Sequence, residues 1–366
     1  MDRFTRTADI IKAYYSYKQT ADSATFVKKV CSFFDFIKDE SLSDADLNLL
    51  LFLANEAGIP QYYDLLKSKF TNAEIGDESI NSLTMSALFH DASLIRGDSK
   101  LHRYQKHVLD SFVATQRNRY VLTAPTSFGK TFLVYEIIQK MQYQNVLLIF
   151  PAISLLSENY ARLCSWEAFS DYAIHSLSEE EFDITQKNKF IFTPERFLSF
   201  MDSHQHLHFN FAFIDEVYKI DNSFVIDQET SGENERDTAY RLALEFICNL
   251  TDNMLLAGPY MALPTAETEL HKSFNDFARD NGFVFLRYNQ FEIVSKEYTT
   301  VKSRQQYIID NIPVEIGSAS KTQKIANIIL ALSSPTENTI IYCNRKSDTE
   351  SYASPARPRT SCASTA

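Results

Sequence analysis

The sequence predicts an α/β protein built on a parallel, doubly wound sheet, with a helical region ahead of it. Three observations carry this. From about residue 100 to 290, short apolar runs alternate with helical periodicity, the pattern of strands covered on both faces. One run, Tyr120–Leu122, passes straight into the loop Ala124-Pro125-Thr126-Ser127-Phe128-Gly129-Lys130-Thr131 and then into the helical pattern Phe132 to Met141. Another, Phe211-Ala212-Phe213-Ile214, ends in Asp215-Glu216-Val217-Tyr218, which places carboxylates where open α/β sheets bind ligands.

Residues 1–95 read as an all-helical accessory domain. Phe26, Val30, Phe33 and Ile37 recur at helical spacing and form one apolar stripe. Ser43 is a plausible N-cap for a helix running to Ala57, with Asp44 and Asp46 in its first turn, Gly58 as the stop and Pro60 beyond. Leu47, Leu50, Leu51 and Ala54 would be its buried face. The region is expected to pack on the sheet domain, or to dock a protein partner.

Residues 96–295 hold the sheet, with strands expected at Tyr120–Leu122, Val146–Phe150, Phe190–Phe192, Phe211–Ile214 and Met254–Leu256. Asp227 to Asp237 reads as a polar surface loop, and Glu179-Glu180-Glu181 as a solvated turn. His204, His206 and His208 alternate as a metal clip would, but no cysteine or carboxylate cluster accompanies them, so they read as an exposed connector. In residues 296–350, Ile325, Ile328, Ile329 and Leu332 predict a helix and Thr339–Tyr342 a strand. Ser351–Ala366 has no periodicity and reads as a disordered tail or as out-of-frame translation.

The chemistry sits in the two loops. Successive N–H groups of a glycine-bearing turn, at the positive end of the next helix, suit phosphate oxygens. Thr126, Ser127, Phe128, Gly129, Lys130 and Thr131 form the candidate cradle. Lys130 would reach the β- and γ-phosphates, and the Thr131 hydroxyl would sit on Mg²⁺. Asp215 would complete the metal site and Glu216 would polarise the attacking water.

These motifs resemble those of the superfamily 2 helicases, nearest to the Ski2-like and DEAD/DEAH-box branch. Alanine at the first loop position is usual there, and Asp-Glu-x-x is that family's second motif. Further segments follow in family order. Tyr104-Gln105 resembles the Q motif, which implies that Gln105 reads the adenine edge of ATP. Phe150-Pro151-Ala152-Ile153-Ser154-Leu155-Leu156 resembles motif Ia, and Thr193-Pro194-Glu195-Arg196 resembles motif Ib. The resemblance therefore implies a DNA or RNA track touching Pro151, Ala152, Thr193, Pro194, Glu195 and Arg196. Glu235-Arg236-Asp237 is also similar to the Ski2-like pattern, and Tyr342-Cys343-Asn344-Arg345 to motif IV.

The resemblance implies a RecA-like ATP-binding domain followed by the start of a second, incomplete RecA-like domain. Motifs V and VI, which would supply the arginines at the γ-phosphate, have no counterpart. A C-terminally truncated helicase with half an ATP site, weak Mg-ATP binding, very slow hydrolysis and no unwinding is the expectation. Two departures concern coupling: Tyr218 stands where relatives carry Asp or His, and Ala257-Gly258-Pro259 replaces Ser-Ala-Thr. The Thr-Ser-Phe-Gly-Lys loop with the Asp-Glu-Val-Tyr box resembles helicases of bacterial antiphage defence systems, including the Hachiman type. A double-strand translocase and a non-catalytic scaffold are the rival readings.

Bulk properties are permissive. With 366 residues, two or three domains fit. The net charge of −11 removes any globally basic surface, yet backbone N–H groups can still grip phosphates. Five cysteines, Cys31, Cys164, Cys248, Cys343 and Cys362, are scattered without a Cys-x-x-Cys pair, as reduced thiols would be. No apolar run approaches a membrane span and no signal peptide is visible, so a soluble cytoplasmic protein is expected.

Overall fold

The computed structural model describes residues 3–67, 95–96, 99–220, 235–261, 272–292, 306–309, 312–315 and 321–332. The expected strand at Thr339–Tyr342, the motif at Tyr342–Arg345, the tail from Ser351 and most of the polar loop after Asp227 lie outside these residues. The chain divides into two compact units, Met1–Ser295 and Lys296–Ala366.

The first unit opens with four helices: α1 (Arg3–Thr20), α2 (Ser23–Ile37), α3 (Asp44–Ala57) and α4 (Gln61–Lys67). Phe26, Val30, Phe33 and Ile37 are all buried along α2, as their spacing requires. At α3 the Ser43 side chain accepts from the Asp46 N–H while the Asp46 carboxylate accepts from the Ser43 N–H. Two of the helix's four orphan donors are thus satisfied. Gly58 ends α3 at φ 74°, a left-handed conformation that a side chain would resist. Leu47, Leu50 and Ala54 are buried as expected, and Leu53 is fully buried where Leu51 is only partly so.

After the two-residue strands β1 (Ile95–Arg96) and β2 (Ser99–Lys100) comes α5 (Arg103–Ser111). The sheet domain then runs β3 (Arg119–Thr123), α6 (Lys130–Met141), β4 (Asn145–Ile149), α7 (Ile153–Ser165), β5 (Tyr172–His175) and β6 (Lys187–Phe192). It continues through α8 (Pro194–Ser203), β7 (Phe209–Ile214), α9 (Glu235–Leu250), β8 (Thr251–Gly258), α10 (Lys272–Asp280) and β9 (Val284–Arg287). The strands form one seven-stranded sheet in the order β5-β6-β4-β7-β8-β3-β9, and every pairing is parallel.

Alternate strand residues feed two separate cores, because successive side chains point to opposite faces. Tyr120, Leu122, Val146, Leu148, Ile191, Phe211 and Phe213 belong to one core, which also takes in α5, α6, α7 and the N-terminal helices. Val121, Leu147, Ile149, Phe190, Phe192, Ala212 and Ile214 belong to the other, beneath α8, α9 and α10. Both faces are covered, so the sheet is the middle of a helix–sheet–helix sandwich. All five expected strands are present. The two that the sequence did not announce, β5 and β9, are the sheet's edges. Their middle residues are only partly buried, so their apolar signal is weak.

The second unit contains the antiparallel pair β10 (Gln306–Ile309) and β11 (Ile312–Glu315), with Val314 buried, and α11 (Lys321–Leu332). That helix falls where Ile325, Ile328, Ile329 and Leu332 predicted it. Among the described residues no helix is long and apolar enough to cross a membrane.

Candidate functional site

Both loops lie at the C-terminal ends of parallel strands, β3 and β7, which are separated only by β8. The chain leaves β3 at Thr123 and makes a single 3-10 turn over Thr126–Phe128. It then enters α6 through Gly129, which sits at φ 75° in the left-handed region. A side chain there would be doubly excluded: its Cβ would lie 2.6 Å from Gln105 Nε2, and the backbone conformation disfavours it. No side chain caps α6. Leu133 makes the first bond back to the Gly129 carbonyl, so the N–H groups ahead of it have no partner within the helix. The Ser127 Oγ is buried in the loop without a hydrogen-bond partner.

Lys130 Nζ donates to the carbonyls of Ala124 (3.2 Å) and Pro125 (2.9 Å), folding back over its own loop. Burial pushes its ammonium below the ordinary lysine value, and Asp215 and Glu216 oppose that shift. The two carboxylates thus lie near enough to Lys130 to favour its charged form. Thr131 follows in the first turn of α6, half-buried.

The acidic strand end is closely held. The Asp215 N–H donates to the Ile149 carbonyl at 3.1 Å, and Asp215 Oδ1 accepts from the Glu216 N–H at 2.9 Å. Glu216 has φ 51°, a conformation costing a non-glycine residue on the order of 1–2 kcal/mol. Two phenols surround the pair. Tyr240, from α9, donates its hydroxyl to the Asp215 carbonyl, and burial raises its pKa well above the tyrosine value. Tyr218 hydrogen-bonds Glu216; burial first, and that carboxylate second, push its phenol up to about 12, so it stays a donor. The residue that departs from the family pattern thus touches the expected base.

Gln105 lies buried at the start of α5. Its Oε1 accepts from the His102 N–H at 3.1 Å and its Nε2 donates to the Phe128 carbonyl at 2.9 Å. Here the amide grips the loop after β3, and reading a base would need its remaining valences. Phe128 is a core residue: its ring is fully buried, its N–H donates to the Pro125 carbonyl, and its own carbonyl is held by α5. Among the loop residues it therefore offers least to a ligand.

The expected track residues fall at two neighbouring strand ends. Pro151 and Ala152 precede α7 after β4, and Thr193 to Arg196 open α8 after β6, the strand paired with β4. Thr193 Oγ1 accepts from the Arg196 N–H, Pro194 occupies the first turn, and Arg196 Nη1 donates to the Ser176 carbonyl at 3.2 Å. Glu195 is exposed. His204 does not share a strand face with its neighbours: it ends α8 with its ring stacked on Phe200 at 4.3 Å.

The sequence reading missed His102 and Tyr240. His102 carries a legible signal, since a capping residue three positions before a glutamine is a capping-box spacing, with histidine in place of Ser or Thr. Tyr240 follows a long polar stretch and has no such signature.

A family model described as the res subunit of Type III restriction enzymes matches residues 98–249, the stretch that holds both loops. The fold is α/β and RecA-like, a parallel seven-stranded sheet with helices on both faces. Among solved structures, the SWI2/SNF2 ATPase core of Sulfolobus solfataricus in complex with dsDNA is similar at 12% identity with a TM-score of 0.34. That similarity covers 45% of this chain and 34% of the other, so the chain spans about a third of that protein's length. No curated protein matches the chain.

Proposed function

We propose that this chain carries the nucleoside-triphosphate site of a superfamily 2-type nucleic-acid motor, with ATP as substrate. The supporting observation is the convergence of Lys130 with Asp215 and Glu216 at the ends of β3 and β7, close enough for the carboxylates to act on the ammonium. Three features fit a bound triphosphate: the uncapped start of α6, the unpartnered Ser127 hydroxyl, and a turn at Gly129 with no room for a Cβ. Thr131 and Asp215 would hold Mg²⁺, which when bound neutralises phosphate charge. Lys130 would exchange two backbone carbonyls for phosphate oxygens, and Glu216, oriented by Tyr218, would take the proton of the attacking water. Thr126, Ser127 and Gly129 would line the phosphates, and Gln105 would sit beside the base.

The helix starts at Ala152 and at Thr193 to Arg196 would touch the nucleic-acid backbone. In the second the Glu195 N–H would be the donor, because Pro194 has none and the Arg196 N–H is held by Thr193 Oγ1. Backbone contact of this kind suits a chain without a globally basic surface. The antiphage reading rests on the resemblance of the loop and the Asp-Glu-Val-Tyr box alone. The match to a restriction-enzyme subunit favours a second reading, translocation along duplex without strand separation. A strand-displacement assay separates the two: ATP consumption with intact duplex selects the translocase.

The primary test is Mg-ATP affinity of the wild type and Lys130→Ala. Loss of the ammonium should weaken binding by roughly 10²–10³-fold, the scale of removing one preorganised charge-stabilising donor. Equal affinity in the two proteins would sink the assignment.

A further inference from the structure

The phosphate loop is held from outside by one turn of helix. At the start of α5, the His102 ring accepts the Gln105 N–H at Nδ1 (3.1 Å) while its Nε2 lies 3.1 Å from the Phe128 carbonyl. An Nδ1 that accepts fixes the neutral ring's proton on Nε2, so Nε2 donates to Phe128. The ring is 1% exposed and packs edge-on to the Phe128 ring at 4.7 Å. Gln105 Nε2 donates to the same carbonyl. One loop oxygen therefore takes two side-chain hydrogen bonds from one helical turn.

That turn is itself fixed. Arg103, between the two, donates Nη1 and Nη2 to the carbonyls of Glu56 and Asn55, and its N–H to that of Gly58 at 2.7 Å. Tyr104 stacks on Phe291 at 3.8 Å. The turn is anchored to the end of α3 on one side and to the loop on the other.

The consequence follows from peptide geometry. The Phe128 carbonyl and the Gly129 N–H belong to one planar trans unit and point in opposite directions. Drawing the oxygen toward α5 aims the Gly129 N–H away from it. We infer that His102 is a positioning residue for nucleotide binding: with Gln105 it fixes the Phe128–Gly129 peptide so that the Gly129 N–H is presented to a phosphate oxygen. This deepens the ATP reading and rests on it. Burial holds the His102 pKa down to about 4, so the ring stays neutral, with the required tautomer, near neutral pH.

The test separates the two roles of the ring. Asparagine is a strong N-cap residue whose Oδ1 stands where His102 has Nδ1, but it has nothing in place of Nε2. His102→Asn should therefore keep the α5 cap while losing the bond to Phe128, with a smaller fall in melting temperature than His102→Ala. Its Mg-ATP affinity should fall by roughly 3–10-fold, the worth of one net hydrogen bond, seen as a raised KM with kcat unchanged. His102→Ala should lose both the affinity and stability.

An Asn variant with wild-type affinity, or one whose affinity falls no more than that of a variant of equal melting temperature altered away from the loop, overturns the inference. If the wild type itself shows no saturable Mg-ATP binding, the ATP reading falls, and the latch falls with it.

Discussion

The strand ends at β3 and β6 are both expected to meet phosphates, yet they are built in different ways. The loop after β3 is braced by distant chain: His102 and Gln105 hold Phe128, while Thr123 Oγ1 bonds Asn289 Oδ1 at 2.7 Å and the Thr123 carbonyl accepts from Tyr288. The turn after β6 is local. Thr193 caps its own helix, and among the described residues the one longer side-chain hydrogen bond is Arg196 to Ser176. The difference follows from what each must present. A helix start offers its unpaired N–H groups without help, needing only a cap. A non-helical loop offers N–H groups in a fixed pattern only if something outside fixes its peptides.

The largest effect that would sharpen this contrast lies opposite the braced loop. Glu216→Gln keeps size and hydrogen bonding but removes the proposed base, so ATP hydrolysis should fall by roughly 10²–10⁴-fold while Mg-ATP affinity stays near wild type. A parallel loss of affinity would mean that the Asp215–Glu216 corner shapes the loop as well, and the two strand ends would no longer be separable. Steady-state turnover and equilibrium binding on the same preparation decide it.

Most of this was legible because the signals are local. The five central strands are apolar on both faces, and Ser43, Gly58 and the glycine-bearing turn after β3 each announce themselves within a few residues. The latch was not legible, because His102 reaches Phe128 across 26 residues and pairs with a loop carbonyl that has no sequence identity of its own. Tyr240 escaped for the same reason, since its partner is the backbone of Asp215. A side chain bonded to a backbone oxygen leaves no complementary residue to find. Gln105 was found, but with its amide turned to the loop, which a motif alone does not reveal.

A second difference concerns a buried charge within β6 itself. β6 carries Lys189, wholly buried, with Nζ unpaired by any hydrogen bond and set 3.0 Å from the Phe169 ring centroid and 3.5 Å from that of Tyr172. Burial lowers its pKa to about 6 against the pull of Asp171, with Lys187 adding to the fall. The unfolded chain then holds one more proton than the folded one between about pH 6 and the unfolded value near 10.5. Stability should rise with pH across that window, by about 1.4 kcal/mol per unit relative to Lys189→Met. At pH 7 the methionine variant should be the more stable, on the order of 1–4 kcal/mol. Denaturant melts of both proteins at several pH values test this. Parallel pH profiles would show that the ring faces keep Lys189 charged in the fold.

The smallest effect belongs to Arg196, and its size tests whether the β6 end works through its backbone. If the helix start there grips a polynucleotide by N–H groups, removing the guanidinium should cost little. That side chain is half-buried and already committed to Ser176. Arg196→Ala should then weaken polynucleotide binding by no more than about threefold, with the salt slope reduced by less than one charge. A full unit off the slope would instead make Arg196 a direct phosphate contact, and the end of β6 would depend on a side chain after all. Thr193→Val is the companion, since it deletes the cap that binds the Arg196 N–H and fixes the helix start from which the Glu195 N–H projects. On the backbone reading it should weaken binding more than Arg196→Ala does, and the order of the two variants in a salt titration decides between them.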